Sequence, residues 1–192
     1  MKKNVMVIIG HPRRDSLCDA LAEAYGRGAA EAGHTVTHLR LGALNFDPVL
    51  HAGYTREQPL EPDLLKAQEH IRNADHLVFV FPVWWGGLPA LLKGFIDRVL
   101  LPGFAFKYHK NSPWWDRLLT GRSAELWMTM DAPAWYYRWV VRRPAYHQMK
   151  TAILGFCGIT LTRTVAMGPV KGSTEARREK WLNHAYRKGR AL

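Results

Sequence analysis

Residues 75–100 read DHLVFVFPVWWGGLPALLKGFIDRVL, and this stretch decides the fold. Residues 75–81 form a largely apolar run, which is typical of a strand buried on both faces of a parallel sheet, and Pro82 stops it. Apolar side chains across residues 88–100 then recur at helical spacing, with Pro89 in the first turn. The stretch therefore predicts a strand, a loop of tryptophan and glycine, and a helix.

The same order of elements recurs along the rest of the chain. The other apolar runs predict strands at residues 5–9, 34–39, 124–130 and 159–167, and the other helical patterns predict helices at residues 16–33, 62–73, 144–156 and 174–187. Residues 42–60 predict an irregular loop. Alternation of strand and helix predicts a single α/β domain, residues 1–192, with a doubly wound parallel sheet. Five strands fit the flavodoxin-like order better than the six-stranded dinucleotide-binding order.

The composition narrows the class of protein. Hydrophobic residues make up 47% of the chain, which argues against disorder. No apolar run approaches the ~20 residues that a membrane span needs, and no signal peptide is recognised at the N-terminus. Cys18 and Cys157 lie far apart in helix-like contexts, so we expect reduced, buried thiols in a cytoplasmic protein. Two cysteines do not make the usual zinc site, and we expect no metal.

The charge balance is strongly basic. Lys and Arg number 27 against 16 Asp and Glu, which gives a formal net charge of +11. The excess lies late in the chain, around residues 138–150 and 177–190. Such a balance occurs in nucleic-acid binding proteins, in proteins that attract anionic cofactors, and in proteins with a solvated basic face. We favour the solvated face and expect no specific nucleic-acid partner.

The loop after the first strand, residues 11–18, enters a helix N-terminus. Backbone N–H groups there are unpaired, and the helix dipole favours an anion. Ser16 can donate a hydroxyl, while His11, Arg13 and Arg14 can supply positive charge. Neither a dinucleotide-binding glycine pattern nor a Walker A motif is present. A phosphate cradle and an ordinary capped loop therefore both stay open.

Two further loops are rich in aromatic residues. In residues 81–89, Trp84 and Trp85 are adjacent, so their side chains diverge and do not share one core; flat indole surface beside glycines suits an aromatic ligand. A dimer contact or loop packing is the alternative. In residues 129–137, a tyrosine could donate a proton or a hydrogen bond to a ligand oxygen. The alternative there is that the rings begin a packed helix.

The loop sequences resemble those of a known enzyme family. Residues 81–99 read FPVWWGGLPALLKGFIDRV, and residues 103–106 read GFAF. Residues 11–17 (HPRRDSL) and 44–48 (LNFDP) support the match. Together they resemble the NAD(P)H:quinone oxidoreductase family over nearly the whole chain, and the C-terminal part resembles its bacterial branch. The resemblance implies a flavodoxin-like fold.

The resemblance also implies a role for each loop. The residues implied to hold the flavin phosphate are His11, Ser16, Leu17 and Cys18. Those implied to hold the isoalloxazine are Pro82, Val83, Trp84 and Trp85, with Thr129 and Met130 along its other side. One of the two tyrosines, Tyr136 or Tyr137, is implied to meet the edge of the flavin where negative charge develops on reduction. Those implied to reach a pocket shared with a second subunit are Phe106 and Tyr108.

The reaction follows from the same resemblance. NAD(P)H would deliver a hydride to the bound flavin and leave, and a quinone-like acceptor would then take it at the same place, which gives ping-pong kinetics. FAD is favoured with FMN left open, and the resemblance implies a homodimer. Two other functions remain open: a flavodoxin-like electron carrier, and an ancillary regulatory subunit of an ion-efflux system.

Three departures from the family pattern stand out. Asp131 lies where many members carry small residues, and its charge is unfavourable beside a flavin unless it points away. Gly86 replaces a bulky residue, so we expect a more open pocket. Arg142 or Arg143 falls where mammalian members use a histidine, which argues against a proton relay through histidine.

Overall fold

The computed structural model describes residues 1–192, and its centre is one sheet of five parallel strands. The strands in chain order are β1 (Asn4–Ile9), β2 (Thr35–Arg40), β3 (His76–Pro82), β4 (Phe106–Tyr108), β5 (Trp115–Arg117), β6 (Ser123–Thr129) and β7 (Thr160–Met167). The sheet order is β2-β1-β3-β6-β7, while β4 and β5 form a separate antiparallel hairpin. The predicted doubly wound, flavodoxin-like α/β fold is confirmed.

Helices cover both faces of the sheet. They are α1 (Leu17–Glu31), α2 (Pro62–Asn73), α3 (Ala90–Val99), α4 (Ala134–Trp139), α5 (Pro144–His147) and α6 (Glu175–Arg190). On one face, α1 and α6 pack over β1, β3 and β6 around Tyr25 and Trp127. On the other face, α2, α3 and the segment after α5 enclose the larger core. Strands β1 and β3 are buried almost throughout, as their unbroken apolar sequence requires.

The elements differ from the sequence prediction in four places. The predicted helix 144–156 is a short α5 that continues as a π-helical segment, Gln148–Gly155. Pro89 is the residue before α3 rather than part of its first turn, because its ψ of 144° is extended. The hairpin β4–β5 was not predicted, and the rings after β6 begin a six-residue helix, α4, where the sequence left a ligand loop and a packed helix both open. Elements of three to six residues are too short to display a hydrophobic period.

The long connection between β2 and α2 is fastened to α3 by one buried guanidinium. Arg98 is fully buried and pairs with the Glu61 carboxylate at 2.9 Å. It also donates to the carbonyls of Asp47 and Pro59. A single side chain thereby holds two points of the predicted irregular loop and Glu61, the residue before α2.

A polar cluster lies between the sheet and α1, near the amino ends of the strands. His76 Nδ1 is 2.7 Å from Ser123 Oγ, and its Nε2 is 3.4 Å from the Tyr25 hydroxyl. The buried Glu125 carboxylate pairs with Arg163 and accepts a bond from the Trp127 indole. Desolvation lowers the pKa of His76 to about 4 and raises that of Glu125. The cluster is at the opposite edge of the sheet from the loops considered next.

Candidate active site at the carboxyl edge of the sheet

The N-terminus of α1 faces the space beyond β1. Ser16 is the N-cap, and its hydroxyl oxygen accepts a hydrogen bond from the Asp19 amide at 3.2 Å. The amides of Leu17 and Cys18 have no partner in the preceding turn, as at every helix start. They point the positive end of the helix dipole toward the same space. The predicted capped loop is therefore present, and it is also arranged to accept an anion.

The turn after β3 is tight and strained. Gly87 donates to the Trp84 carbonyl at 2.9 Å, and Trp85 and Gly86 both have left-handed backbones, with φ of 52° and 76°. A bulky residue in this conformation is uncommon and is held there by its surroundings. Trp84 and Gly87 face each other as an antiparallel bridge, whereas the amides of Trp85 and Gly86 donate no hydrogen bond within the chain. Two free donors therefore lie beside two exposed indole rings.

Tyr137 locks this turn from the opposite side. Its ring is buried, and its hydroxyl donates to the Gly86 carbonyl at 3.2 Å while accepting from the Ala145 amide at 3.2 Å. Desolvation raises the pKa of Tyr137, so the phenol stays protonated at neutral pH. Tyr136, by contrast, is 41% exposed and packs edge-on against Trp135. The two tyrosines are therefore unequal in position, with only Tyr137 at the site.

Gly86 does not leave the pocket as open as expected. A Cβ built on Gly86 would lie 3.2 Å from Val141 and 3.4 Å from Pro144. The segment after α4 therefore occupies the volume that a bulkier residue would fill. The sequence did not reveal that Val141 and Pro144 approach Gly86, because these residues are more than fifty positions apart.

These loops enclose one cavity of about 680 Å³. All ten residues predicted to hold the cofactor line it: His11, Ser16, Leu17, Cys18, Pro82, Val83, Trp84, Trp85, Thr129 and Met130. Tyr137 lines it as well, whereas Tyr136 does not. Phe106 and Tyr108 border a second, mainly apolar cavity of about 510 Å³ between α3, the hairpin and the π-helical segment. The structure thus brings together the predicted cofactor residues of three separate loops.

The positive charge at the cavity comes from arginine rather than histidine. Arg13 and Arg178 line its wall. His11 accepts a bond from the Arg13 amide and contacts Trp84 edge-on, and desolvation lowers its pKa, so it is neutral near pH 7. Arg14 lies outside this cavity. In the sequence, Arg178 is one of several basic residues near the C-terminus. The only sign that it would reach the cavity is its position in the first turn of a helix that follows a strand.

Contacts within the chain restrict the chemistry of two further side chains, Cys18 and Asp131. Cys18 is buried with its Sγ 3.3 Å from Thr129 Oγ1, and burial raises its pKa to about 11. The thiol is therefore protonated and unreactive. The Asp131 carboxylate accepts a bond from the Lys171 amide at 2.8 Å. That bond ties Asp131 to the loop before α6, although the residue borders the cavity.

Comparison with known proteins identifies the family. A family model described as a flavodoxin-like fold matches residues 3–188. The chain belongs to the flavodoxin-like fold family. An uncharacterized NAD(P)H oxidoreductase of Haemophilus influenzae is 26% identical to this flavodoxin-like protein over 193 residues, which cover 98% of the chain and 95% of the relative.

Two further relatives carry quinone-related names. The NAD(P)H:quinone oxidoreductase of Methanothermobacter marburgensis has a structure with a TM-score of 0.81 and 26% identity, covering 99% of this flavodoxin-like chain and 98% of that one. Rat NAD(P)H dehydrogenase (quinone) 1 is 29% identical over 126 residues, or 55% of the chain. The chain spans only 46% of the rat protein's length. The predicted resemblance to the NAD(P)H:quinone oxidoreductase family is confirmed.

No helix of the chain has the length and apolar character needed to cross a bilayer. No group of three or more His, Cys, Asp or Glu side chains is placed to hold a metal ion. Both cysteines are unpaired and buried, as predicted.

Proposed function

We propose that this protein is a flavin-dependent oxidoreductase that takes a hydride from NAD(P)H and passes it to a quinone-like acceptor. The observation that carries the proposal is the cavity at the carboxyl edge of the sheet, which has an anion-accepting helix start at one wall and an indole-lined turn with free amides at another. Ligands of open α/β sheets bind at this edge, where the strand order reverses. Here the reversal lies between β1 and β3.

The donors in the cavity fit a flavin. Its phosphate would be held by Ser16, the amides of Leu17 and Cys18, and the guanidinium groups of Arg13 and Arg178. Its ring would lie along Pro82 to Trp85, where the free amides of Trp85 and Gly86 suit the ring's polar edge. When bound, the flavin supplies two-electron hydride chemistry that no side chain of this cavity possesses.

The chain's own residues would position the flavin and its substrates in the cavity and shield them from water. Tyr137 keeps the Gly86 turn in the conformation that aims its amides into the cavity. Trp84 and Trp85 present flat apolar surface on which a nicotinamide or quinone ring can stack. Thr129 and Met130 close the other side. The protonated Cys18 thiol takes no part in proton or electron transfer, and His11 is neutral.

A shared place for donor and acceptor supports ping-pong kinetics. The exposed rings of Trp84 and Trp85 border the cavity, so we expect a nicotinamide and a quinone-like ring to stack at the same place in turn. Crossed-substrate kinetics with NADH or NADPH and a water-soluble benzoquinone should give parallel double-reciprocal lines. Intersecting lines would mean that both substrates bind together.

Purification and reconstitution test the cofactor directly. We expect about one flavin per chain, bleached by NAD(P)H, with FAD favoured over FMN because the resemblance to the quinone oxidoreductase family favours it. Mass analysis of flavin released by heat identifies it. If excess FAD or FMN leaves the protein colourless and its melting temperature unchanged, the flavin proposal is wrong. Stable one-electron reduction with little NAD(P)H turnover would favour an electron carrier instead.

We also propose a homodimer of cytoplasmic location. Phe106 and Tyr108 border the second cavity together with the Phe156 ring, whose centroid is 4.9 Å from that of Phe106. An apolar cavity of about 510 Å³ open at the surface suits a second copy of the chain. Light scattering that gives a fully active monomer at micromolar concentration would contradict this.

A further inference from the structure

The outer face of α4 exposes aromatic rings that nothing in the chain covers. Tyr137 of α4 and Val141, two residues beyond its end, line the cavity. Trp135 and Trp139, one helical turn apart, do not line it and face solvent. Their exposed fractions are 63% and 69%. Large exposed apolar patches on soluble proteins mark interaction sites.

The sequence that forms and follows this face is basic. No Asp or Glu occurs from residue 132 to residue 174, whereas Arg138, Arg142, Arg143 and Lys150 fall close to α4 in sequence. The Arg138 guanidinium lies over the Trp139 ring, 4.9 Å from its centroid. Arg138 therefore keeps its charge at the surface while its stem and the indole form one amphipathic unit.

We propose that the outer face of α4, comprising Trp135, Tyr136, Arg138, Trp139 and Val140, binds the surface of a bilayer that contains anionic phospholipid. Trp and Tyr rings with a polar and an apolar end are suited to the interface between headgroups and acyl chains. Arginines beside them are attracted by the negative surface potential of such a bilayer. The face is too short to span and rests on the membrane.

Charge complementarity distinguishes this occupant from a second copy. A two-fold contact through α4 would bring Arg138 and Arg142 of both copies into one interface, with no Asp or Glu of residues 132–174 to balance them, and like charges in an interface are repelled. An anionic bilayer meets the same residues with opposite charge. The second cavity, bordered by Phe106 and Tyr108, lies between other elements and stays available for dimerisation.

The outer face of α4 lies next to the candidate active-site cavity, which suggests what binding to a bilayer would do. Tyr137, on the inner side of α4, and Val141, two residues beyond its end, line the candidate active-site cavity. Docking of the outer face would place that cavity close to the headgroup layer. An acceptor dissolved in the bilayer could then reach it over a short path. Bilayer binding itself requires no flavin, so it can fail or succeed independently of the proposed function.

Co-sedimentation with vesicles tests the proposal. The purified full-length chain is mixed with vesicles of phosphatidylcholine alone, or of phosphatidylcholine with about one third phosphatidylglycerol. We expect at least tenfold tighter binding to the anionic vesicles, and weakening of that binding by salt. The double variant Trp135→Ala/Trp139→Ala should lose roughly tenfold in affinity without losing stability. The double variant Arg138→Gln/Arg142→Gln should lose a similar factor.

Matched controls separate this face from the rest of the basic surface. Trp114→Ala removes an equally exposed indole from the segment between β4 and β5 and should bind as the wild type does. Arg187→Gln/Lys188→Gln removes two charges from the last turn of α6 and should change affinity less than twofold. Undiminished binding by the Trp135/Trp139 variant overturns the proposal, as does a dimer that this variant dissociates. Equal affinity for neutral and anionic vesicles also overturns it.

Discussion

The Tyr137 hydroxyl donates a hydrogen bond to the Gly86 carbonyl at 3.2 Å and accepts one from the Ala145 amide at 3.2 Å. One phenol therefore joins the turn after β3 to both helices that follow β6. The turn carries the free amides of the candidate site, and it is held by Tyr137, fifty-one positions away, together with a direct bond from the Ala145 amide to the Gly86 carbonyl at 3.3 Å. Tyr137 is for this reason a positioning residue.

Tyr137→Phe should slow flavin bleaching by NAD(P)H roughly tenfold, which corresponds to about 1.4 kcal/mol. The free energy of unfolding should fall by about 1 kcal/mol, because the Gly86 carbonyl and the Ala145 amide lose a partner. Tyr136→Phe is the matched control and should change neither quantity, since Tyr136 lies outside the cavity. Stopped-flow absorbance of the two variants decides the matter. Equal rates would show that no tyrosine of this segment takes part.

Ser16→Asp should weaken flavin binding by more than tenfold. Aspartate caps a helix as well as serine does, so α1 stays intact while a negative charge is placed against the ligand phosphate. Ser16→Asn supplies a neutral cap of similar size and should retain most of the affinity. Fluorescence titration of the apoprotein with flavin gives both dissociation constants. Identical values for Ser16→Asp and wild type would place the phosphate elsewhere.

Arg98→Lys should lower the free energy of unfolding by roughly 2–3 kcal/mol. A lysine ammonium keeps the charge opposite Glu61 but lacks the planar fork that also reaches the Asp47 and Pro59 carbonyls. Arg56→Lys alters an exposed arginine of the same loop and should have little effect. Urea unfolding followed by circular dichroism measures both. Equal midpoints would mean that the buried pair contributes nothing beyond its charge.

His76 should make the protein less stable in mild acid. Its pKa is held near 4 in the folded chain, against 6.5 ordinarily, so the unfolded chain binds more protons between these pH values. The contribution is fully present above pH 6.5 and is lost as the pH falls toward 4, amounting to at most about 3 kcal/mol.

The raised pKa of Glu125 acts in the opposite direction, because its folded carboxylate retains a proton more readily than the unfolded one. His76→Gln isolates the histidine: the slope of stability against pH from 6.5 to 4 should be shallower in this variant than in wild type. His70→Gln, at an exposed position, should leave the slope unchanged. A slope that persists in His76→Gln would assign it to other groups.

The sequence predicted the strands and the loops that carry the site, because buried parallel strands are written as unbroken apolar runs and ligand loops follow their carboxyl ends. Residues 75–81, for example, form a short apolar run that is typical of a buried strand. The sequence left α4 as one of two alternatives, because six residues are too few to show a helical period. Nor could it choose between Tyr136 and Tyr137, since that choice depends on Gly86 and Ala145 approaching from separate segments. The sequence also could not predict that Arg178 lines the cavity, because only the fold brings it to the same edge of the sheet as Arg13.

The contact between Gly86 and Val141 carries an evolutionary consequence. A missing side chain at one position is matched by a branched one at the other, and the two fill a single volume between them. Among homologues, we expect these two positions to vary together, a bulky residue at the first accompanying a small one at the second. Exchange of either loop alone between homologues would then leave a collision or a void, whereas exchange of both as a unit would preserve the site.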